Sequence, residues 1–190
     1  MNGEPAATQL LERDRELERL MALLTDTAGG EGGLAIVEGP AGVGKTSLLL
    51  SLREQARARG LTTLSATGAQ LEGAFPFGVC HQLLNEVMAG LSPPERLEVL
   101  SGAAAHARPL FGEAPEPGPA PPGGDPLFSV VHGLYWLAAN LAERSPLLVL
   151  VDDAQWVDEP SLRLLDYLGR RLEGLPIGLV VGLRSGEPAR

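Results

Sequence analysis

The sequence contains one cysteine and one lysine among 190 residues, and both shortages narrow its chemistry. Cys80 has no second cysteine to pair with, so an internal disulfide and a cysteine-rich zinc site are excluded, although His81 adjoins it. We interpret Cys80 as a core residue. Of the fifteen basic residues, fourteen are arginine and Lys45 is the only lysine. Any role that requires a lysine ammonium group therefore falls on Lys45.

Excess positive charge and long apolar runs are also missing. The formal net charge of −9 makes the chain a poor nucleic-acid binder by itself, because duplex affinity depends on basic side chains that neutralise phosphates. Residues 1–8 lack the basic patch and the apolar run of a secretion signal, and no later stretch has membrane-spanning length. We expect a cytoplasmic protein with no membrane contact, and any DNA contact to need residues outside this chain.

Apolar periodicity and glycine or proline breaks predict helices that alternate with strands. The predicted helices cover a segment from about 14 to 28, then 45–59, 77–88, 94–107, 126–143 and 160–172, and the predicted strands cover 34–37, 61–65, 147–151 and 177–183. This pattern favours a single α/β domain over residues 1–190, with three layers, a mainly parallel sheet and an α-helical insertion after the second strand. Residues 109–126 are rich in proline and glycine, and we expect a flexible loop there.

A glycine-rich motif lies between the first predicted strand and the helix that follows it. Residues 39–46 match the pattern G-x-x-x-x-G-K-S/T, in which glycines let backbone amides curl around a β-phosphate. The helix N-terminus favours the same anion, Lys45 reaches the β- and γ-phosphate oxygens, and Thr46 places its hydroxyl on Mg²⁺. We predict an ATP-binding phosphate loop. Its candidate nucleotide-binding residues are Gly39, Pro40, Ala41, Gly42, Val43, Gly44, Lys45, Thr46 and Ser47.

Acidic and basic side chains follow the later strands. Asp152 comes directly after the aliphatic run 147–151 and is the candidate partner of Thr46 on Mg²⁺, and Asp153 is the candidate base or orienting group for an attacking water. Arg184 ends the last strand, and the carboxyl ends of parallel strands share one edge, so it could touch a γ-phosphate. We predict Lys45, Asp153 and Arg184 as catalytic residues. The alternatives are acids that only end a strand and an arginine that only leads into a turn.

The same residues narrow the class of nucleotide enzyme. A typical GTPase needs a second lysine in its guanine-binding element, and this chain has none. The tandem acids favour water as the phosphoryl acceptor over a small molecule. Three hypotheses remain: an ATP/ADP-binding module with weak or no turnover, a stand-alone ATPase or small-molecule kinase, and a degenerate interaction module that has lost its ligand.

Several motifs together resemble the STAND branch of AAA-like ATPases, in particular the N-terminal ATPase region of large LuxR-type transcriptional regulators. Residues 10–16 are similar to that family's hydrophobic-hydrophobic-Gly-Arg-x-x-Glu motif, and the resemblance continues through 39–46, 75–78 and 152–156 to the turn at Arg184. Glu12 stands where the family has glycine. Gln155 stands where it frequently has histidine.

The resemblance implies an ATP/ADP switch that is closed and monomeric with ADP and that opens with ATP and an inducer for self-assembly and transcriptional activation. It implies that Arg13 approaches the nucleotide and that Arg184 is the sensor arginine. It also implies the strand order 5-1-4-3-2, with this chain ending before the fifth strand. We therefore expect the strand at 34–37 to be an open sheet edge through which the isolated chain self-associates.

Overall fold

The sheet contains four parallel strands with the order β1-β4-β3-β2. The computed structural model describes residues 14–70, 75–114 and 125–186. The strands are β1 (Gly33–Gly39), β2 (Thr62–Thr67), β3 (Leu147–Asp152) and β4 (Ile177–Arg184). All six residues of β3 are buried, as expected of an interior strand that is covered on both faces. The predicted α/β fold and the predicted order of these four strands are confirmed, and β1 lies at an edge of the sheet that the described residues form.

Helices cover both faces of this sheet. They are α1 (Asp14–Ala28), α2 (Lys45–Ala58), α3 (Gly78–Gly90), α4 (Pro93–Val99), α5 (Pro126–Arg144) and α6 (Glu159–Gly169), with 3₁₀ helices at Gly102–Phe111 and Ala154–Trp156. Successive side chains of β3 point to opposite faces: Leu148 packs in the core with α1 and α2, and Val149 packs in the core with α3, α5 and α6. No described helix is long and apolar enough to cross a membrane.

The insertion between β2 and β3 differs from the sequence prediction. The single helix predicted over 94–107 is divided, because α4 ends at Val99 and a 3₁₀ helix starts at Gly102, whose φ of 59° is left-handed. The 3₁₀ helix lies directly against α5. A Cβ atom added to Gly133 would come within 2.6 Å of the Ala107 nitrogen, so this approach requires glycine. Tertiary packing therefore selects a tighter helix than the alanine-rich sequence suggests.

The loop that the sequence predicts over 109–126 is shortened in the structure, because helices extend into it from both ends. The 3₁₀ helix continues to Phe111, whose ring meets the edge of His81 and lies 5.7 Å from the guanidinium carbon of Arg96. At the other end, α5 begins at Pro126, where the Asp125 carboxylate caps it by accepting a hydrogen bond from the Leu127 amide. The rest of the predicted loop, residues 115–124, lies outside the described residues.

Candidate functional site

The phosphate loop connects the carboxyl end of β1 to the first turn of α2. Gly42 and Gly44 have φ values of 75° and 87°, a region that glycine adopts without strain. Residues 40–43 are exposed to solvent. No side chain caps α2 at Gly44, so the first amides of this helix are available to an anion. The loop thus has the backbone geometry that the sequence motif requires.

Lys45 lies inside this loop. Its side chain is only 6% exposed, and Nζ donates hydrogen bonds to the carbonyl oxygens of Gly39 at 2.7 Å and Pro40 at 2.9 Å. Both acceptors belong to the loop itself. The ammonium group is therefore held at the position where phosphate oxygens would replace these carbonyls as its partners.

Thr46 and Asp152 form the second part of the site. The Thr46 hydroxyl donates to Oδ2 of Asp152 at 2.6 Å, and Oδ1 of Asp152 accepts from the Asp153 amide at 2.9 Å. Gly182 of β4 leaves the space that this carboxylate occupies, since a Cβ atom there would lie 2.7 Å from Oδ1. The hydroxyl and the carboxylate are thereby fixed next to each other.

Asp153 and Arg184 form a bidentate ion pair. Nε of Arg184 donates to Oδ1 of Asp153 and Nη2 donates to Oδ2, each at 2.8 Å. Gln155 joins the same group, because its amide nitrogen donates to Oδ1 of Asp153 at 3.2 Å and its oxygen accepts from the Arg184 amide at 3.2 Å. The side chain of Asp153 is 19% exposed and that of Arg184 is 36% exposed. The pair is thus partly shielded from water.

This environment keeps Asp153 ionised. The hydrogen bonds from Arg184 lower the pKa of Asp153 below its ordinary value; burial opposes the shift, while Gln155 and the charge of Lys45 assist it. With both oxygens bound by Arg184, Asp153 is an ion-pair partner in this conformation rather than a free base.

A known protein family matches most of the chain. A model of the AAA ATPase domain family matches residues 9–181. This chain belongs to the AAA ATPase domain family. An uncharacterised protein of Rhizobium meliloti (strain 1021) is 26% identical over 201 residues, an alignment that covers 92% of this chain and 18% of that protein.

Two solved structures share the fold of this AAA ATPase domain. The Aeropyrum pernix ORC2 protein, solved in ADPNP-ADP complexes, is 18% identical with a TM-score of 0.50, and the match covers 96% of this chain and 43% of that chain. The Aeropyrum pernix ORC1 protein, solved in complex with DNA, is 20% identical with a TM-score of 0.50, at 92% and 39% coverage. The AAA ATPase domain thus spans less than half of each of these three proteins.

The oxygen atoms of Thr46 and Asp152 fit Mg²⁺. This ion prefers oxygen ligands and is usually bound through one or two protein groups, with waters and substrate phosphates completing its shell. One hydroxyl and one carboxylate at 2.6 Å supply such a pair. Within residues 14–70, 75–114 and 125–186, no three Cys, His, Asp or Glu side chains cluster as metal ligands. The donor set therefore suits an ion that is shared with a phosphate.

The segment 75–78 has a structural role in the AAA ATPase domain. Asp158, which is 4% exposed, accepts hydrogen bonds from the amides of Phe77 at 2.8 Å, Val79 at 3.2 Å and Ser161 at 3.0 Å. It therefore caps the first turns of both α3 and α6. The Cys80 amide donates to the Ser161 hydroxyl at 3.1 Å. The strand-to-helix connection that carries Asp152 and Asp153 is thus attached to α3.

The sequence-predicted site residues are brought together where the structure describes them. Lys45, Thr46, Asp152, Asp153 and Arg184 meet at the carboxyl edge of the sheet. The remaining loop residues Gly39, Pro40, Ala41, Gly42, Val43 and Gly44 form the turn before α2, and Ser47 is exposed on its first turn. Arg13 lies outside the described residues.

Sequence reasoning missed two supporting residues. In the sequence Gln155 stands out only as a departure from a family pattern, and nothing in a single sequence indicates its bridge between Asp153 and Arg184. Gly182 did have a signal. Glycine in the interior of a strand often marks a close approach by another group, and here that group is the Asp152 carboxylate.

Proposed function

We propose that this AAA ATPase domain binds magnesium adenine nucleotide at residues 39–47 and acts as an ATP/ADP switch with slow or no hydrolysis by itself. One observation carries the proposal: the buried Lys45 ammonium is held by two carbonyls of a glycine loop whose helix amides have no side-chain cap. Such a loop provides both the positive charge and the backbone donors that a polyphosphate requires. The short hydrogen bond between Thr46 and Asp152 supports a metal site beside it.

Each charged residue has a role in this proposal. Lys45 would exchange its two carbonyl partners for β- and γ-phosphate oxygens. Asp152, together with the Thr46 hydroxyl, would hold Mg²⁺, which would neutralise phosphate charge. Arg184 binds the γ-phosphate as a planar two-pronged donor. Asp153 orients an attacking water once Arg184 has left it. Because the ion pair must separate first, slow turnover is expected of the resting arrangement.

The wider role that we propose is the ATPase region of a LuxR-type transcriptional regulator of the STAND branch. Residues 10–16 and 152–156 support it, since they are similar to motifs of that group. The ORC2 protein was solved with both ADPNP and ADP, which supports a site that accepts either phosphate length. Because these residues carry a net charge of −9, which opposes binding to DNA phosphates, we assign any DNA contact to residues outside this sequence. Arg13 is a further proposed nucleotide contact.

The single lysine permits a direct test of the phosphate site. An amine-reactive acylating reagent can modify only Lys45 and the terminal amine of this chain, and peptide mass spectrometry separates the two products. We expect magnesium ADP or ATP to protect Lys45 and to leave the labelling of the terminal amine unchanged. The reagent and pH are chosen so that Lys45 of the nucleotide-free chain is labelled. Labelling of Lys45 at that same level with saturating nucleotide would refute the proposed site.

A further inference from the structure

Asp153 and a γ-phosphate offer Arg184 equivalent binding partners. A guanidinium group binds carboxylate and phosphate in the same two-pronged geometry, with parallel N–H donors. In this structure Nε and Nη2 of Arg184 both donate to the Asp153 carboxylate, at 2.8 Å each. The same pair of nitrogens can therefore bind a γ-phosphate only by leaving the carboxylate.

Arg184 lies next to the phosphate loop at the carboxyl edge of the sheet. Arg184 is the register partner of Gly39, the first residue of the phosphate loop, and the Ser185 amide donates to the Gly39 carbonyl at 3.2 Å. Lys45 donates to that same carbonyl at 2.7 Å. The strand end that carries Arg184 and the Lys45 ammonium group therefore meet at one residue of the phosphate loop, Gly39.

Gln155 makes the ion pair a defined alternative state rather than a loose surface contact. Its amide group binds the Asp153 side chain on one side and the Arg184 backbone on the other. Gln155 is buried. The Asp153 carboxylate is therefore held next to the end of β4. A ligand that binds Arg184 in its place must offset the loss of the hydrogen bonds between Arg184 and Asp153.

We propose that Asp153 determines the preference of this site between nucleoside triphosphate and diphosphate by competing with the γ-phosphate for Arg184. A diphosphate leaves the Arg184–Asp153 pair intact. A triphosphate whose γ-phosphate binds the Nε and Nη2 edge of Arg184 must break the pair, so its extra phosphate adds less affinity than it would if Asp153 did not hold that edge. This inference rests on the proposed nucleotide site and assigns a specificity-determining role to an acid that was predicted only to serve hydrolysis.

Affinities for magnesium ADP and for a non-hydrolysable ATP analogue, measured by calorimetry, test the competition without interference from turnover. In Asp153→Asn, which keeps the side-chain shape but removes the charge, we expect the ratio of triphosphate to diphosphate affinity to rise roughly 5- to 150-fold, the usual range of such couplings. ADP affinity should stay within about twofold. The matched control is Asp166→Asn, which removes the carboxylate of an exposed arginine pair on α6 and should leave the ratio unchanged.

A double-mutant cycle identifies the route of the effect. In the Arg184→Gln background the same Asp153→Asn change should raise the ratio by less than about twofold, because no guanidinium is left to compete for. An equal rise in that background would mean that Asp153 repels the γ-phosphate directly, and would overturn the competition. An unchanged ratio in Asp153→Asn would also overturn it. If the native chain binds no ADP, the proposed function itself fails; ADP binding with an unresponsive ratio refutes this inference alone.

Discussion

At the scale of single residues, the Asp152 carboxylate can take its position because Gly182 has no side chain. β4 carries Gly182 where it passes the Asp152 carboxylate, and a Cβ atom there would lie 2.7 Å from Oδ1. Neither β3 nor β4 can move easily, because both are interior strands of the sheet. The carboxylate would therefore have to turn away from Thr46.

Gly182→Ala tests this arrangement. We expect magnesium-dependent nucleotide affinity to fall by about tenfold, the lower end of the usual loss when a residue that positions a metal ligand is changed. Nucleotide titrations with and without Mg²⁺ measure the effect. Gly90→Ala at the end of α3 is the control, since a Cβ atom there meets nothing within 4 Å. Equal affinities in both variants would contradict the role of Gly182.

Cys80 provides a prediction about pH. Burial is the main cause that raises the pKa of Cys80 to about 12, so the folded chain keeps the thiol proton at a pH where the unfolded chain loses it. Above about pH 9 the unfolded state binds fewer protons, and the free energy of unfolding falls by about 1.4 kcal/mol per pH unit. Urea unfolding at pH 9 and pH 10 should show this extra loss in the native chain and not in Cys80→Ala. Identical losses would refute it.

The residues of the site were predictable to different degrees. The motif at 39–46 imposes its own backbone geometry, so the positions of Lys45 and Thr46 follow from local sequence. Asp153 and Arg184 could be expected at one edge of the sheet. Their ion pair and its bridge by Gln155 could not be expected. The pair joins residues that are 31 apart in the sequence, and it depends on the register of β3 against β4.

At the scale of elements, Asp158 joins the first turns of α3 and α6. It accepts three backbone hydrogen bonds while almost fully buried. Removing its carboxylate would leave the amides of Phe77, Val79 and Ser161 without that partner, and the bonds from Val79 and Ser161 are buried.

We therefore expect Asp158→Ala to lower the free energy of unfolding by about 3 kcal/mol, which combines the loss of a helix cap with two further buried donors. The comparison is Asp125→Ala, which removes the exposed cap of α5 and should cost about 1 kcal/mol. Urea denaturation with an unchanged m-value gives both numbers. Equal losses in the two variants would contradict the junction.

The bounds of the helices and strands show where apolar periodicity predicts structure well and where it does not. α1, α5 and all four strands lie near their predicted bounds, because each has a regular apolar pattern and a glycine, proline or cap at its ends. The segment after α4 has neither. Its alanines are compatible with several helix types, and its 3₁₀ form depends on a close approach to Gly133 of α5, a contact between distant segments.

At the scale of the whole molecule, β1 presents an edge that its own helices only partly cover. Leu34 is 48% exposed and Ile36 is 60% exposed, and within residues 14–70, 75–114 and 125–186 the strand pairs only with β4. Exposed edges with apolar side chains recruit further strands. The expectation of self-association thus keeps its structural basis and remains a prediction.

Light scattering over a concentration series measures this self-association. We expect the native chain to associate, and Ile36→Lys to weaken the association by about tenfold or more, since a charge on an edge strand opposes strand addition. Leu97→Lys on α4 is the control, because Leu97 is also 60% exposed but lies away from the sheet edge. A native chain that stays monomeric at high concentration would contradict the prediction.

The central claim is that the loop at 39–46 and its single ammonium group bind polyphosphate. Calorimetry with magnesium ADP and magnesium ATP on the folded chain tests it most directly, with Lys45→Ala beside the native protein. The account predicts a measurable heat of binding for the native chain and a loss of affinity of about tenfold or more in Lys45→Ala, because a charge-assisted phosphate contact is removed. A folded native chain that gives no heat and no competition with either nucleotide would contradict it.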